Sequence, residues 1–159
     1  MKRYITVLLA LMLMLTSLTA CGKSKDGSLD LEEVYQSILD AQDCPEEEYI
    51  MLPEENEDYI NYFYAGLSDI ELKQRVIYMH PVTGAPTEVM LVELANADDV
   101  EAVQKIFQAR IDLGIADDFI PENSQGWQDN AQIQTSGNYV ALICMADCCT
   151  IPDDVFALS

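Results

Sequence analysis

Apolar residues recur at helical spacing in three stretches of the chain, and each stretch predicts an amphipathic helix. The first stretch follows Asp30, which forms the pattern of a capping box with Glu33. The third follows the segment 96–99, whose asparagine and two aspartates suit a helix start, and Gly114 is expected to end it. The apolar positions are Leu31, Val34, Tyr35, Ile38 and Leu39 in the first stretch, Ile60, Phe63, Tyr64 and Leu67 in the second, and Val100, Val103, Ile106, Phe107, Ala109, Ile111 and Leu113 in the third.

Two stretches rich in β-branched and aromatic residues, 70–80 and 87–94, predict strands. The connection between them, 81–86, contains prolines and a glycine, so the two strands are expected to form a hairpin. The second strand is apolar on both faces, which is typical of a central strand covered by helices.

A second hairpin is predicted from residues 131–135 and 139–145, which flank a turn at Gly137. A short helix that begins at Pro121 and includes Trp127 is expected before it. Strands paired by short turns and flanked by longer helices predict an α+β fold. We therefore expect a small antiparallel sheet of about four strands in hairpins, covered by amphipathic helices.

The N-terminus has the three parts of a secretory signal. Basic Lys2 and Arg3 precede an apolar core from Ile5 to Leu15, and small residues follow. The apolar stretch is shorter than the ~20 residues that span a bilayer, which argues against a transmembrane helix. Residues 1–20 are thus predicted to be a signal peptide helix.

The tetrad Leu18-Thr19-Ala20-Cys21 resembles the lipobox of bacterial lipoproteins. An ordinary signal cleavage site needs a small residue at the position of Leu18, where leucine is too large. The resemblance implies cleavage between Ala20 and Cys21 and a diacylglyceryl group on the Cys21 thiol. Acyl chains such as palmitate, each methylene contributing ~0.8 kcal/mol, would then hold the protein in the lipid bilayer at the outer face of the cytoplasmic membrane.

A flexible tether and one acidic domain are expected to follow. Residues 21–28 are small and polar, and the part after Cys21 reaches about 14 Å as a coil. Residues 29–159 are long enough for one domain with a core. The chain has 28 acidic and eight basic residues and a formal net charge of −20. This charge excludes nucleic acid as a partner and favours an envelope protein or a cation.

The common motifs of hydrolases, zinc proteases, phosphate-binding loops and dinucleotide sites are absent, and no cofactor is predicted. The only histidine is His80, at a strand end before a proline. An extracytoplasmic enzyme or metal–thiol site using His80 or the group Cys144, Cys148 and Cys149 is therefore the alternative function. The preferred function is a non-enzymatic binding or interaction module.

Four cysteines remain beside Cys21, and their redox state is left open because export permits oxidation without requiring it. Cys144 lies within an apolar strand and is expected to pack as a small hydrophobe. For Cys148 and Cys149 we expect one disulfide with Cys44 or free thiols. Metal binding by these cysteines is the weaker interpretation, since the paired C-x-x-C spacing of zinc sites is absent.

Several segments together resemble domain-of-unknown-function family 4358, a family of small lipoproteins of Gram-positive bacteria. The resemblance covers roughly residues 30–150 and implies a shared fold and an extracytoplasmic location, without any catalytic residue. The cysteine group at 144–149 is not part of the family pattern. The segments that carry the resemblance are Tyr62-Phe63-Tyr64-Ala65-Gly66-Leu67, the strand Glu88 to Glu93, Asp98-Asp99 leading to Arg110, and Ser136-Gly137-Asn138-Tyr139-Val140.

Overall fold

The computed structural model describes residues 28–82, 84–117 and 119–157. The predicted signal peptide, the lipobox with Cys21 and most of the tether lie outside the described residues. Within the described ranges, no helix combines the length and the apolar character needed to cross a membrane.

A five-stranded antiparallel sheet forms the centre of the domain, with the strand order β1-β2-β3-β5-β4. The two predicted hairpins are β2–β3 and β4–β5, and β1 adds a short edge strand to them. The α+β prediction is therefore confirmed. The strands are β1 (Leu52–Pro53), β2 (Leu72–Met79), β3 (Glu88–Leu94), β4 (Gln132–Ser136) and β5 (Tyr139–Cys144).

Within the described residues, four α-helices accompany the sheet, and their starts follow from the local sequence. The side chain of Asp30 accepts hydrogen bonds from the backbone N–H groups of Glu32 and Glu33, so it caps the first helix as predicted. Pro121 occupies the first turn of the fourth helix. The helices are α1 (Leu31–Asp40), α2 (Glu57–Phe63), α3 (Val100–Ala116) and α4 (Pro121–Asn130). Short 3-10 helices span Glu46–Tyr49, Leu67–Asp69, Ala97–Asp99 and Val155–Ala157.

All seven residues of β3 are buried, because both faces of the sheet are covered. On one face, Met90 and Val92 pack with Phe107 of α3 and Trp127 of α4. We call this the α3 face. On the opposite face, which we call the α1 face, Val89 and Leu91 of β3 pack against α1 and the C-terminal segment. The α1-face core includes Leu31, Val34, Ile38, Val89, Leu91, Ile143, Val155 and Phe156.

Helix α3 differs from its prediction in where it ends and in which side it buries. It continues past Gly114 to Ala116. Gly114 instead allows close packing, since a Cβ at this position would lie 2.5 Å from ring carbons of Trp127. Ala109 and Leu113 are exposed, whereas Arg110 is buried. The buried side of α3 thus includes a charged residue and a glycine that an apolar pattern does not count.

Candidate functional site

A buried ion pair joins α3 to the start of β3. Arg110 Nη2 lies 2.6 Å from Glu88 Oε2, and Arg110 Nε donates to Glu88 Oε1 at 3.1 Å. The two side chains are only 3% and 1% exposed. Two parallel hydrogen bonds fix the carboxylate in the plane of the guanidinium, which is the strongest geometry for such a pair.

Tyr64 completes this cluster by donating its hydroxyl hydrogen bond to Glu88. Burial, and then the negative charge of Glu88, raise the pKa of Tyr64 well above its ordinary value, so its hydroxyl remains a donor at neutral pH. Burial alone lowers the pKa of Arg110, but the attraction and hydrogen bonds from Glu88 outweigh it and the pKa rises. Arg110 therefore stays charged. We call Tyr64, Glu88 and Arg110 the buried charge cluster.

Aromatic rings enclose the guanidinium of Arg110. Its central carbon lies 4.6 Å from the ring centroid of Phe63 and 4.2 Å from that of Trp127. Both distances are within the range of cation–π attraction. Trp127 is held in turn by a hydrogen bond from its Nε1 to the backbone oxygen of Gly84, at 3.3 Å.

A cleft of about 320 Å³ opens beside this aromatic enclosure, and we call it the Arg110 cleft. Tyr62 and Leu113 form exposed parts of its wall. Its volume and largely apolar lining fall in the range of small-molecule and side-chain binding sites. The lining residues are Tyr62, Phe63, Gly84, Arg110, Leu113, Gly114, Ala116 and Asp117.

A second group of reactive side chains lies where the loop after α1 meets the turn after β5. The sulfur atoms of Cys44, Cys148 and Cys149 all lie within 4.8 Å of one another. We call these three residues the thiol cluster. Cys148 is exposed, whereas Cys44 and Cys149 are half-buried. Among the residues that the structure describes, this is the only group of three or more side chains that could jointly hold a metal ion.

The structure does not place Cys144 in the thiol cluster. Cys144 is buried in the α3-face core, where it faces Glu88 across the β3–β5 pair and donates to the backbone oxygen of Pro86 at 3.3 Å. Burial, and then the charge of Glu88, raise the pKa of the Cys144 thiol to about 12. Cys144 is therefore protonated and unreactive in the folded protein.

His80 also stands apart from the thiol cluster. It follows the end of β2 and is half-buried, and its Nδ1 accepts a hydrogen bond from the backbone N–H of Val82 at 3.0 Å. This bond organises the start of the β2–β3 connection. Of the residues weighed for a metal–thiol site, the structure thus brings together Cys44, Cys148 and Cys149, and places His80 and Cys144 elsewhere.

A family model described as "Domain of unknown function (DUF4358)" matches residues 46–145. The chain belongs to this family. The resemblance predicted from the segment order is therefore confirmed. No curated protein and no solved structure matches the chain. The DUF4358 segment contains the whole buried charge cluster, whereas the three residues of the thiol cluster lie outside it.

The pattern of apolar residues alone did not single out the buried charge cluster. A signal was nevertheless present, because Arg110 lies three residues after Phe107 and seven after Val103, in line with the buried side of α3. Glu88 opens a strand that is otherwise apolar except for one more glutamate. A charged residue in each of two buried elements indicates an ion pair between them.

Proposed function

We propose that this chain is a lipoprotein anchored outside the cytoplasmic membrane, and that its domain is a binding module that uses the Arg110 cleft. The single observation that supports the binding role is the cleft itself. It is open and largely apolar, and the fixed guanidinium of Arg110 forms part of its wall. The partner would be a basic envelope protein that inserts an apolar side chain between Tyr62 and Leu113. Its basic character follows from the net charge of −20.

The chemistry of the cleft supports binding rather than catalysis. The ionisable residues that line it, among those the structure describes, are Tyr62, Arg110 and Asp117. Arg110 already gives two hydrogen bonds to Glu88, so its charge is compensated and its orientation is fixed. Among the described residues, the lining contains no serine, cysteine, threonine or lysine nucleophile with an adjacent base. The separation of His80 and Cys144 from the thiol cluster also argues against a histidine–thiol enzyme.

The binding role is tested by comparing two exposed leucines. Leu113 in the cleft is 39% exposed, and Leu52 on edge strand β1 is 55% exposed. The tagged domain is used to capture proteins from the cell envelope of its own source. We expect Leu113→Gln to lower recovery of the captured protein at least about 10-fold, a loss of ~1.4 kcal/mol typical of a central contact, and Leu52→Gln to leave it unchanged.

Circular dichroism of both variants checks that the fold is retained. Raising the salt concentration should weaken the capture by wild type, because the proposed partner is attracted by opposite charge. Equal recovery by Leu113→Gln and wild type would contradict the use of this cleft.

The membrane anchor is tested separately on the full chain. Mass spectrometry of the membrane fraction should find diacylglyceryl on Cys21 as the first residue, and Cys21→Ala should release the protein from that fraction. The two acyl chains account for stable attachment, since a single chain holds only marginally. Membrane attachment that persists in Cys21→Ala would defeat the anchor proposal while leaving the binding proposal intact.

A further inference from the structure

The side chain of Gln42 holds together two loops that are distant in the sequence and that meet beside the thiol cluster. The amide nitrogen of Gln42 donates to the backbone oxygen of Thr150 at 2.9 Å and to that of Ile38 at 2.7 Å. The amide oxygen of Gln42 accepts from the backbone N–H of Thr150 at 2.9 Å. These bonds fix the loop after α1 against the C-terminal segment. They set Cys44 and Cys149 next to each other independently of any bond between their sulfurs.

The two sulfurs nearest each other are placed for a covalent bond rather than for a shared metal ion. Cys44 Sγ and Cys149 Sγ lie 2.7 Å apart. Two thiolates on a tetrahedral zinc ion, with Zn–S bonds of about 2.3 Å, stand about 3.8 Å apart. A metal ion would therefore have to separate this pair, whereas disulfide formation requires only a small approach.

Cys148 is the thiol of the cluster that meets solvent. It lines a second cleft, of about 560 Å³, which we call the acidic cleft because four carboxylates line it. A reagent that reaches Cys148 through this cleft therefore passes a negative field, which favours positively charged reagents. The carboxylates belong to Glu48, Glu122, Asp129 and Asp147.

We propose that the thiol cluster is a thiol–disulfide exchange site, in which Cys44 and Cys149 form the disulfide and Cys148 is the contact point for external disulfides of neutral or positive charge. This proposal goes beyond the binding role of the Arg110 cleft and does not depend on it.

The exchange can be written with every atom and electron accounted for. The Cys148 thiolate attacks an external disulfide RSSR, which gives a mixed disulfide Cys148–S–S–R and one RS⁻. The Cys44 thiolate then attacks Cys148 Sγ and releases the second RS⁻, forming Cys44–Cys148. Cys149 next attacks Cys44 Sγ, which leaves Cys44–Cys149 and returns Cys148 to a thiol. Two cysteines lose two electrons and two protons, and RSSR becomes two RSH.

We expect the raised pKa values of the cluster thiols to make this exchange slow at neutral pH. Although Cys148 is exposed, partial desolvation at its sulfur and then the hydrogen bond with Cys44 raise the pKa of the Cys148 thiol. Loss of solvent, and then Cys44, likewise raise the pKa of Cys149. Because the thiolate is the nucleophile, the rate should rise with pH above the ordinary thiol range. The site therefore suits a long-lived disulfide between the loop after α1 and the C-terminal segment better than rapid cycles of oxidation and reduction.

The first experiment maps the bond in the protein purified without reductant. Free thiols are trapped with N-ethylmaleimide under native conditions, and peptides are then analysed without reduction. We expect a cross-linked Cys44–Cys149 peptide, a labelled Cys148, and a Cys144 that is labelled only after unfolding. Three labelled cluster cysteines would overturn the proposal, whether the purified protein holds no metal or holds one zinc ion per chain.

Substitutions distinguish this arrangement from a chance pairing of neighbouring thiols. In Cys149→Ser, Cys148 should take over and form Cys44–Cys148, because its sulfur lies within the same 4.8 Å group. In Cys44→Ser no cross-link to the C-terminal segment should form. Since the two residues are 105 positions apart, reduction should lower the Tm of wild type by about 10 °C and leave Cys44→Ser unchanged. An equal Tm shift in both would contradict the proposal.

The second experiment tests the charge preference of the external disulfide. Reduced wild type is oxidised with cystamine, which is positively charged, or with oxidised glutathione, which is negatively charged. At low salt we expect cystamine to react at least about 10-fold faster per molecule, and 1 M salt to reduce this ratio. Glu48→Gln should also reduce the ratio. Equal rates with both reagents at low salt would overturn the role of the acidic cleft.

Discussion

Two glutamates on the central strand β3 carry buried charges that are compensated in different ways. Glu88 and Glu93 stand near opposite ends of β3 and are both almost fully buried. Glu88 lies on the α3 face and is paired with the equally buried Arg110. Glu93 lies on the α1 face, where its charged partner Lys73, at 3.2 Å, has a side chain that is 53% exposed.

Neutral amides supply the remaining hydrogen bonds of Glu93. Gln74 Nε2 donates to it at 2.7 Å and Asn138 Nδ2 at 3.3 Å. A buried carboxylate is costly unless it is paired or hydrogen-bonded, and both sites meet that requirement. At Glu88 a buried arginine supplies the opposite charge and two hydrogen bonds, and Tyr64 adds a third, whereas at Glu93 the charged partner is largely in solvent and two amides supply the other bonds. The two sites should therefore differ sharply in how they respond to the loss of one partner.

The largest effect is expected from removing the arginine. Arg110→Met leaves Glu88 buried without its charged partner, and should lower the free energy of unfolding by about 3–5 kcal/mol. Lys73→Met, the matched change at Glu93, should cost less than about 1 kcal/mol, because the lysine ammonium is largely in solvent. Urea titration followed by circular dichroism measures both values.

A double variant shows whether an unpaired charge is the cause. Arg110→Met combined with Glu88→Gln should recover part of the lost stability, since no unpaired charge then remains buried at this site. Equal losses in Arg110→Met and Lys73→Met would remove the distinction between the two sites.

An intermediate effect is expected at Gln74, which makes the shortest of the three hydrogen bonds to Glu93. Its amide also donates to the backbone oxygen of Leu29 and accepts from the N–H of Leu31. Gln74→Met should therefore lower the free energy of unfolding by about 2 kcal/mol, the range of a hydrogen bond to a charged group. Gln108→Met, at an exposed glutamine, is the control and should have little effect. If Gln74→Met lowered the free energy of unfolding as little as Gln108→Met does, Glu93 would not need the amide of Gln74.

A smaller effect than at Gln74 is expected at Gly114, which supports the enclosure of Arg110 indirectly. Gly114→Ala places a methyl group against Trp127, and the overpacking of about 1–3 kcal/mol is partly offset by ~1 kcal/mol of better helix propensity. We expect a net loss of about 1 kcal/mol in urea titration. This loss should shrink in an Arg110→Met background, where Trp127 no longer stacks on a guanidinium. A stabilising Gly114→Ala would mean that the ring moves freely.

Periodicity predicted most of the fold because it reports which face of an element is buried. The capped start of α1 at Asp30 and the two-sided burial of β3 follow directly from the sequence. The role of Arg110 does not, because a charged residue is normally assigned to solvent and its burial depends on Glu88, which lies 22 positions away. An apolar pattern contains no information about such a partner.

The thiol cluster shows a similar limit. From the sequence we expect a disulfide from Cys44 to either Cys148 or Cys149, or free thiols. The alternative metal–thiol site grouped Cys144 with Cys148 and Cys149. The apolar strand around Cys144 predicted that this thiol packs in the core, but spacing cannot choose between Cys148 and Cys149, because they are adjacent. The structure separates Cys144, since strand β5 directs it into the α3-face core, and the turn that follows carries the others outward. The distance from Cys44 depends on the Gln42 contact, which has no sequence signature.

The burial of every residue of β3 also bears on folding specificity. A strand with one polar face resists a one-residue shift in pairing, because the shift would expose its apolar side chains. Strand β3 lacks this protection, since both of its faces are apolar. A shift would, however, turn Glu88 toward α1, away from Arg110, and Glu93 toward the α3-face core, away from Gln74. The two glutamates therefore distinguish the two faces of β3, and they favour a single register of pairing with the neighbouring strands.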